Sequence, residues 1–194
     1  MVFNQDLFTM DSELFIFLYC TMPIVYVALG SNLWDRKKYL SDTIISLQDK
    51  WLEIQAVAPL YICRALGFDG QEFYNTVIRL QTDMDSYDIF AILQDIEKEL
   101  GRERAIPEKK TEEVIYSDRT IDIDVLLYDD MIAHNSYLTI PHRSMHERDF
   151  VLRPLLDLDP ELCCPMTDCC YTELLEQIPA EQHTILDVIH DWYK

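Results

Sequence analysis

Long hydrophobic runs are missing from this sequence, and so are the features of an export signal. No apolar segment approaches the roughly 20 residues that a membrane-spanning helix needs. The short apolar segment 14–20 follows Asp6, Asp11 and Glu13 instead of a basic region, which argues against a signal peptide. Six cysteines in a chain of 194 residues without such a signal are typical of reduced thiols in a cytosol. We therefore expect a cytoplasmic protein without a membrane partner.

Basic residues are also scarce. The sequence has 16 lysines and arginines against 35 aspartates and glutamates, a formal net charge of -19. This charge argues against a protein that binds nucleic acid or anionic membranes non-specifically. An acidic protein still binds phosphates where its basic residues are grouped, and seven of the sixteen lie in one stretch: Arg102, Arg104, Lys109, Lys110, Arg119, Arg143 and Arg148.

The remaining composition is that of a globular protein. Hydrophobic residues make up 49% of the chain, and its length suffices for one domain with a core. Residues 1–21 fit the rest poorly, so they are either an appendage or a segment that precedes a natural start at Met22. We expect residues 22–194 to form one domain, with a C-terminal extension from about residue 166.

Hydrophobic periodicity predicts elements in the order βαββαβ. This order predicts an α+β, ferredoxin-like fold, in which an antiparallel sheet carries two helices on one face. Gly30-Ser31-Asn32 lacks the phosphate-loop pattern and is predicted to be a turn that caps the first helix. Ser86 is predicted to cap the second helix, and a final helical segment is predicted at 184–193. The predicted strands are 24–29, 53–61, 73–81 and 116–130, and the predicted helices are 33–50 and 87–100.

The segment 116–130 contains two aspartates in a strand pattern. Ile121, Ile123 and Val125 alternate with Asp122 and Asp124, so the two carboxylates share one face of the strand, with Cα atoms roughly 6.5–7 Å apart. Such a pair can hold one or two hard cations such as Mg²⁺. Arg119, just upstream, could contact phosphates that those cations carry. The alternative, a solvated face of an edge strand, stays open at this point.

Four separated segments resemble one known family. They are ALGSN at 28–32, ELGRER at 99–104, DRTIDIDVLLY at 118–128 and TIPHRSMHERDFVLRPL at 139–155. Together they resemble the 6-hydroxymethyl-7,8-dihydropterin pyrophosphokinases of folate biosynthesis, over roughly residues 23–165. Members of that family transfer the pyrophosphoryl group of ATP to the hydroxymethyl group of the reduced pterin and release AMP.

The resemblance implies the following roles for residues of this chain. Asp122 and Asp124 would bind two Mg²⁺ ions and, with Arg102 and Arg119, would form the catalytic group. Arginine suits phosphate because its guanidinium donates two parallel hydrogen bonds, whereas Arg143 is a weaker candidate. The implied ATP-binding residues are Gln94, Glu97, Arg102, Arg104, Arg119, His142 and Arg148. For Gln94 and Glu97 an exposed helix face is the alternative.

For the pterin, the resemblance implies that Phe73 and Phe150 sandwich the ring, because a flat heterocycle gains stacking energy between two aromatic rings. Asn75 would recognise the edge of the pterin, since an amide supplies a donor and an acceptor. Leu66 lies in the loop whose backbone would contact the same edge. Asp149 stands where the family usually has a small residue, and we expect its side chain to point to solvent.

Several alternatives remain at this point. The chain could be a non-catalytic ferredoxin-like module that binds a ligand, or a two-metal nucleotidyl transferase, although the net charge disfavours a nucleic-acid substrate. Enzymes of the resembled kind are often fused to a neighbouring folate-pathway enzyme, so a fusion or association is a further expectation. Cys163-Cys164 and Cys169-Cys170 lack metal-site spacing and are predicted to be small buried hydrophobic residues.

Overall fold

The computed structural model describes residues 22–102, 118–135 and 137–193. The N-terminal segment 1–21, Arg104 and the remainder of the 103–117 stretch lie outside these residues. Within the described ranges the helices are α1 (Arg36–Asp49), α2 (Ser86–Glu99), α3 (Asp149–Leu158) and α4 (Tyr171–Glu176). The strands are β1 (Ile24–Ser31), β2 (Glu53–Val57), β3 (Leu60–Cys63), β4 (Phe73–Gln81), β5 (Asp122–Tyr128), β6 (Ala133–His134), β7 (Thr139–Ile140) and β8 (Ile185–Ile189).

The main sheet is antiparallel, with strand order β5-β1-β4-β3-β8 and β2 paired to β4. Strands β2 and β3 follow one another along the same side of β4, because they pair with its two ends. The prediction of one strand over 53–61 is therefore wrong in its extent. The break falls at Ala58 and Pro59, where proline has no backbone N–H to donate to a sheet.

Both faces of this sheet are covered. Alternate residues of β1 point to opposite sides, so Val25, Val27 and Leu29 pack with α1 and α2 while Tyr26 and Ala28 pack with α3 and α4. The α+β class and the two helices on one face are confirmed. The layer formed by α3 and α4 on the second face was not part of the prediction, and this layer covers the face that carries Asp122 and Asp124.

The helix caps differ from those predicted. Asp35 caps α1 by accepting a hydrogen bond from the backbone N of Lys38, and Asp85 caps α2 by accepting from the backbone N of Tyr87 and Asp88. Aspartate at this position satisfies backbone donors that have no partner within the helix. The predictions of Ser31, Asn32 and Ser86 as caps are therefore wrong, and Asn32 has a different role that is described below.

The C-terminal segment forms a strand instead of the predicted helix at 184–193. Strand β8 pairs with β3 from Leu60↔Ile189 to Cys63↔Ile185 and extends the sheet. Ile185, Val188 and Ile189 have helix-like spacing, but β-branched residues favour strands, and the open edge of β3 is available to them. Residues 185–189 of the predicted C-terminal extension are therefore part of the sheet.

The indole of Trp192 anchors the end of this segment. Its Nε1 donates to the backbone O of Ala58 at 2.9 Å, and the side chain is 6% exposed. In the described ranges, no helix has the length and apolar character needed to cross a membrane.

We expect Trp192→Phe to lower the free energy of unfolding by about 1–3 kcal/mol, because it removes a buried hydrogen bond and leaves unfilled volume. Denaturant titration would show a lower midpoint with an unchanged slope. Trp51→Phe is the matched control, because Trp51 is 90% exposed and its replacement should change stability by less than about 0.5 kcal/mol. Equal effects of the two substitutions would contradict this account of the C-terminal anchor.

Candidate active site

The candidate site lies where the ends of β1, β4 and β5 meet. Gly30 of β1 pairs with Asn75 of β4 on one side and with Asp122 of β5 on the other. Above them is an open cleft with two adjoining parts. The aromatic compartment is lined by Leu66, Phe68, Phe73 and Phe150 among others, and the polar compartment by Asp124, Leu126 and His142 among others. The two compartments share Gly30, Asn75, Asp122, Arg148 and Phe150.

Asp122 and Asp124 lie on one face of β5, as predicted. Ile123 and Val125 are in the core on the opposite face, and both carboxylates line the polar compartment. The Asp122 carboxylate is paired with two arginines: its Oδ1 lies 2.5 Å from Nη1 of Arg102, and its Oδ2 lies 2.6 Å from Nη1 of Arg119. Although β5 is an edge strand, this face borders the cleft and is not simply a solvated surface.

Three carboxylates are close enough to perturb one another. Burial in the cleft raises the pKa of Asp124 above its ordinary value, and the negative charges of Asp122 and Glu97 raise it further, against the opposing effect of Arg102 and Arg148. For Arg102, burial alone would lower the guanidinium pKa, but Asp122, Glu97 and Asp124 outweigh that effect and raise it. Three carboxylates thus lie among three arginines, Arg102, Arg119 and Arg148. A cation bound beside Asp124 would offset the cost of burying its charged form.

Glu97 is a buried member of this group and does not lie on an exposed helix face. Its Oε1 accepts a hydrogen bond from the backbone N of Ile123 at 2.8 Å, and it is 2% exposed. The same oxygen pairs with Nη1 of Arg102. Glu97 thus joins α2 to β5 and holds Arg102 beside Asp122. Gln94, one turn earlier on α2, is half-buried.

Asn32 positions Arg119, a role that the sequence analysis missed. Asn32 is 0% exposed, and its Oδ1 accepts a hydrogen bond from the backbone N of Arg119 at 2.7 Å. Its own backbone N donates to the O of Arg119 at 3.2 Å, and its Nδ2 donates to Oδ1 of Asp118 and to the O of Gln71. A local pattern could not reveal this role, because Arg119 is 87 residues away along the chain.

His142 lines the polar compartment in its neutral form. Burial and the neighbouring positive charge of Arg148 lower its pKa to about 4, although Asp122 opposes the shift. Its backbone N donates to the O of Leu126 at 2.9 Å. Among the described residues, the buried Nδ1 atom of His142 has no hydrogen-bond partner. A buried polar atom without a partner marks a position at which a ligand could bind.

The four residues predicted to contact the pterin, Leu66, Phe73, Asn75 and Phe150, all line the aromatic compartment. The guanidinium of Arg119 lies 5.7 Å from the ring centroid of Phe73, and that of Arg148 lies 5.8 Å from the ring centroid of Phe150. Each predicted aromatic wall therefore lies beside an arginine of the cleft. The residues predicted to bind the pterin and those predicted to bind phosphate are thus neighbours.

Two further residues shape the aromatic compartment and were not predicted to do so. Phe68 lies in the loop after β3, and its ring centroid is 6.2 Å from that of Phe73 at an interplanar angle of 85°. Gly30 has no side chain, and a Cβ placed there would lie 2.9 Å from Oδ1 of Asn75. Only glycine therefore lets the Asn75 amide cross the end of β1 without displacement. The sequence predicted a turn beginning at Gly30, whereas β1 continues through Ser31, and it did not show which side chain would lie across Gly30.

The remaining predictions have mixed outcomes. Arg104 lies outside the described residues, and Arg143 is exposed. The prediction that Asp149 points to solvent is wrong, because Asp149 is 1% exposed. Cys164 is buried as predicted, whereas Cys163 is exposed, with its Sγ 2.9 Å from that of Cys170.

The fold and the cleft together define a class of protein. An antiparallel sheet with helices on both faces carries a cleft in which paired carboxylates and arginines adjoin a compartment walled by aromatic rings. Such a cleft suits an enzyme that acts on a phosphate-bearing substrate and a flat ring together.

Comparison with known proteins identifies the family. The family model described as 7,8-dihydro-6-hydroxymethylpterin-pyrophosphokinase (HPPK) matches residues 26–160, and the chain belongs to this family. The chain is 34% identical over 146 residues to the 2-amino-4-hydroxy-6-hydroxymethyldihydropteridine pyrophosphokinase of Aquifex aeolicus, covering 75% of this chain and 86% of that one. The predicted family, the pyrophosphokinases of folate biosynthesis, and the predicted fold class are thereby confirmed.

Some relatives are much longer than this chain. The folic acid synthesis protein fol1 of Pneumocystis carinii is 36% identical over 171 residues, which is 88% of this chain but 22% of that protein. The chain thus spans about a fifth of the length of this relative. The structure of wild-type HPPK-DHPS of Plasmodium falciparum with pteroate matches with a TM-score of 0.62 at 14% identity, over 80% of this chain and 44% of that one, which shows a shared fold.

We expect Asn32→Ala to cost about 1–3 kcal/mol of stability, because it leaves the backbone N of Arg119 without its partner. Hydrogen exchange at the Arg119 amide should accelerate in this variant. Asp35→Ala is the control: it removes a helix cap nearby, and so it should lower stability by about 0.5–2 kcal/mol without changing exchange at Arg119. Unchanged exchange at Arg119 in Asn32→Ala would contradict the positioning role.

Proposed function

We propose that this chain transfers the pyrophosphoryl group of ATP to the hydroxyl of 6-hydroxymethyl-7,8-dihydropterin and releases AMP. One observation carries the proposal: the polar and aromatic compartments share Asn75 and Asp122. A phosphate chain on one side and a ring on the other would therefore meet at one place. Holding two reactants in contact at a fixed orientation is itself a large part of catalysis.

Mg²⁺ fits the donor set of the polar compartment. The described residues contain no group of three or more His, Cys, Asp or Glu side chains that could hold a metal ion. A pair of carboxylates is nevertheless what Mg²⁺ commonly uses in phosphate-transfer sites, where water and substrate phosphates complete its coordination. We propose that Asp122 and Asp124 hold two such ions, which would offset the cost of burying the charged form of Asp124, the main cause of its raised pKa. Bound Mg²⁺ would supply charge neutralisation for the triphosphate.

The arginines would bind and orient the triphosphate. Arg102 and Arg119 flank the carboxylate of Asp122 on its two oxygens, and both guanidinium groups have the planar geometry that matches phosphate oxygens. Arg119 also lies beside Phe73, so it would contact phosphate at the boundary between the compartments. His142 would offer a neutral imidazole to a phosphate oxygen, because its pKa is lowered to about 4. Gln94, Glu97, Arg104 and Arg148 complete the proposed ATP-binding set.

The aromatic compartment would bind the pterin. We propose that Phe73 and Phe150 contact the two faces of the ring, that the Asn75 amide recognises its edge, and that Leu66 borders the same pocket. All four line the compartment. Aromatic contacts of this kind contribute roughly 0.5–1.5 kcal/mol per pair beyond the area buried. The hydroxymethyl group of a ring bound in this way would point toward Asp122, which lines both compartments.

The proposal extends to the setting of the enzyme. We propose association with, or fusion to, a neighbouring folate-pathway enzyme, which is supported by the greater length of the Pneumocystis carinii relative and by the name HPPK-DHPS of the Plasmodium falciparum structure. We also propose a cytoplasmic location, where the five described cysteines, all free thiols, would remain reduced.

Product analysis tests the proposal directly. The protein is mixed with Mg²⁺, ATP and 6-hydroxymethyl-7,8-dihydropterin, and the nucleotides are then resolved. AMP should appear in step with pterin consumption, and Asp122→Ala and Asp124→Ala should each lower the rate by about 100-fold or more. Asp130→Asn is the matched control, because Asp130 is exposed just after β5 and should retain the full rate.

Each alternative outcome identifies a different function. ADP as the product would indicate a simple kinase, and ATP binding without turnover would favour a non-catalytic ligand-binding module. Release of inorganic pyrophosphate with a nucleotide attached to the acceptor would favour a nucleotidyl transferase. Any of these results would refute the proposed reaction.

We expect Gly30→Ala to weaken pterin binding by about tenfold or more, because the new Cβ would displace the Asn75 amide from its position. Calorimetric titration with the pterin, in the presence of a non-hydrolysable ATP analogue, measures this effect. Binding of the analogue alone, measured on the same variant, is the reference for a general distortion of the cleft. Wild-type pterin affinity in Gly30→Ala would show that the Asn75 amide does not need the space above Gly30.

A further inference from the structure

The buried carboxylate of Asp149 joins the first turn of α3 to the start of β8. It accepts hydrogen bonds from the backbone N of Thr184 at 2.7 Å, from Oγ1 of Thr184 at 2.6 Å and from the backbone N of Ile185 at 3.2 Å. It also accepts from the backbone N of Phe150 at 2.8 Å. Asp149 is 1% exposed, and its nearest cationic candidate, Nδ1 of the exposed His183, is 3.8 Å away.

A buried carboxylate is stabilised only where donors replace the water that it loses. Here the replacing donors come mainly from Thr184 and Ile185, residues 35 and 36 positions later in the chain. Strand β8 is itself held to β3, and the backbone N of Arg64 donates to the O of Thr184 at 3.0 Å. The first turn of α3 is therefore tied to the main sheet through the C-terminal segment.

The hydrogen bonds of Asp149 to the C-terminal segment matter for the site because of the residues that flank Asp149 in the sequence. Phe150, the next residue, is a wall of the aromatic compartment, and its backbone N is one of the donors to Asp149. Arg148, the preceding residue, has one backbone hydrogen bond outside α3, from its N to the O of Met145, while its O accepts from Val151 and Leu152 of that helix. Loss of the hydrogen bonds between Asp149 and the C-terminal segment should therefore displace Phe150 more than Arg148.

A second connection runs from the start of β8 to Phe73. Cys63 of β3 pairs with Ile185 of β8 on one side and with Phe73 of β4 on the other. Ile185 also donates to Asp149 through its backbone N. The two aromatic walls, Phe73 and Phe150, are therefore both connected to the start of β8.

We infer that Asp149 is a positioning residue for the aromatic compartment, and that the C-terminal segment beginning at Thr184 is a required part of that compartment. The inference rests on the proposed function, since the ligand of the compartment is taken to be the reduced pterin. Asp149 acts through Phe150 and Thr184 and does not itself touch the substrate.

The test compares the affinities for the two substrates in Asp149→Asn and Thr184→Val. Calorimetry gives the Kd of a non-hydrolysable ATP analogue, and then the Kd of 6-hydroxymethyl-7,8-dihydropterin in its presence. We expect the pterin Kd to rise about tenfold in Asp149→Asn and about threefold in Thr184→Val, because small displacements of a binding wall are costly. The Kd of the ATP analogue should change by less than about twofold. In steady-state kinetics the KM for the pterin should rise, whereas the KM for ATP should not change.

The matched control is Asp157→Asn on the same helix. Asp157 accepts a hydrogen bond from the hydroxyl of Tyr61 at the far end of α3, so its loss perturbs the helix away from the cleft. This variant should bind both ligands like the wild type. Thr184→Val also serves where Asp149→Asn does not fold, because valine has the shape of threonine and removes only the hydroxyl.

The outcomes separate this inference from the proposed function. Wild-type protein that neither binds the pterin nor forms AMP would overturn both. Wild-type protein that forms AMP, with variants whose pterin Kd is unchanged, would overturn the positioning role alone. Equal losses of affinity for pterin and ATP analogue would also overturn it, because they would indicate a general structural effect.

Discussion

The pairing of β1 with both of its neighbours is the constraint on which the rest of the site depends. Gly30 lies opposite Asn75 in one ladder and opposite Asp122 in the other. Adjacent strands in a sheet lie about 4.8 Å apart, so this register places an amide and a carboxylate on either side of a residue without a side chain. A shift by one residue would turn Asp122 toward the core. The division of the cleft into two compartments follows from this register.

Electrostatics then gives the polar compartment its character. The chain as a whole is strongly acidic, yet Arg102 and Arg119 are both held against Asp122. Glu97 of α2 pairs with Arg102, and Asn32, next to the end of β1, accepts a hydrogen bond from the backbone N of Arg119. In the proposed reaction, arginines held in this way would need little reorganisation to bind a phosphate, which is the condition for effective electrostatic catalysis. In the proposed reaction a bound cation would offset the cost of burying the charged form of Asp124.

Much of this site could be predicted from local patterns. The alternation around Asp122 and Asp124 has a period of two, which a strand imposes wherever one face is buried. The resemblance to the family also implied roles for Phe73, Asn75, Arg148 and Phe150, all of which line the cleft. Asn32 and Gly30 were missed because their significance depends on partners distant in sequence. The prediction for Asp149 failed for the same reason: its charge suggested solvent, but Thr184 and Ile185 surround it with donors.

By itself the sequence determined the α+β class, the strand bearing the two aspartates and the family, because these depend on periodicity and on motifs within short segments. Only the tertiary structure decided that the C-terminal segment 185–189 is a strand. Its apolar spacing suits a helix equally well, and the open edge of β3 supplies the hydrogen bonds that settle the choice. The tertiary structure also decided which polar residues are buried, because a carboxylate such as Asp149 tolerates burial only when distant parts of the chain bring donors to it.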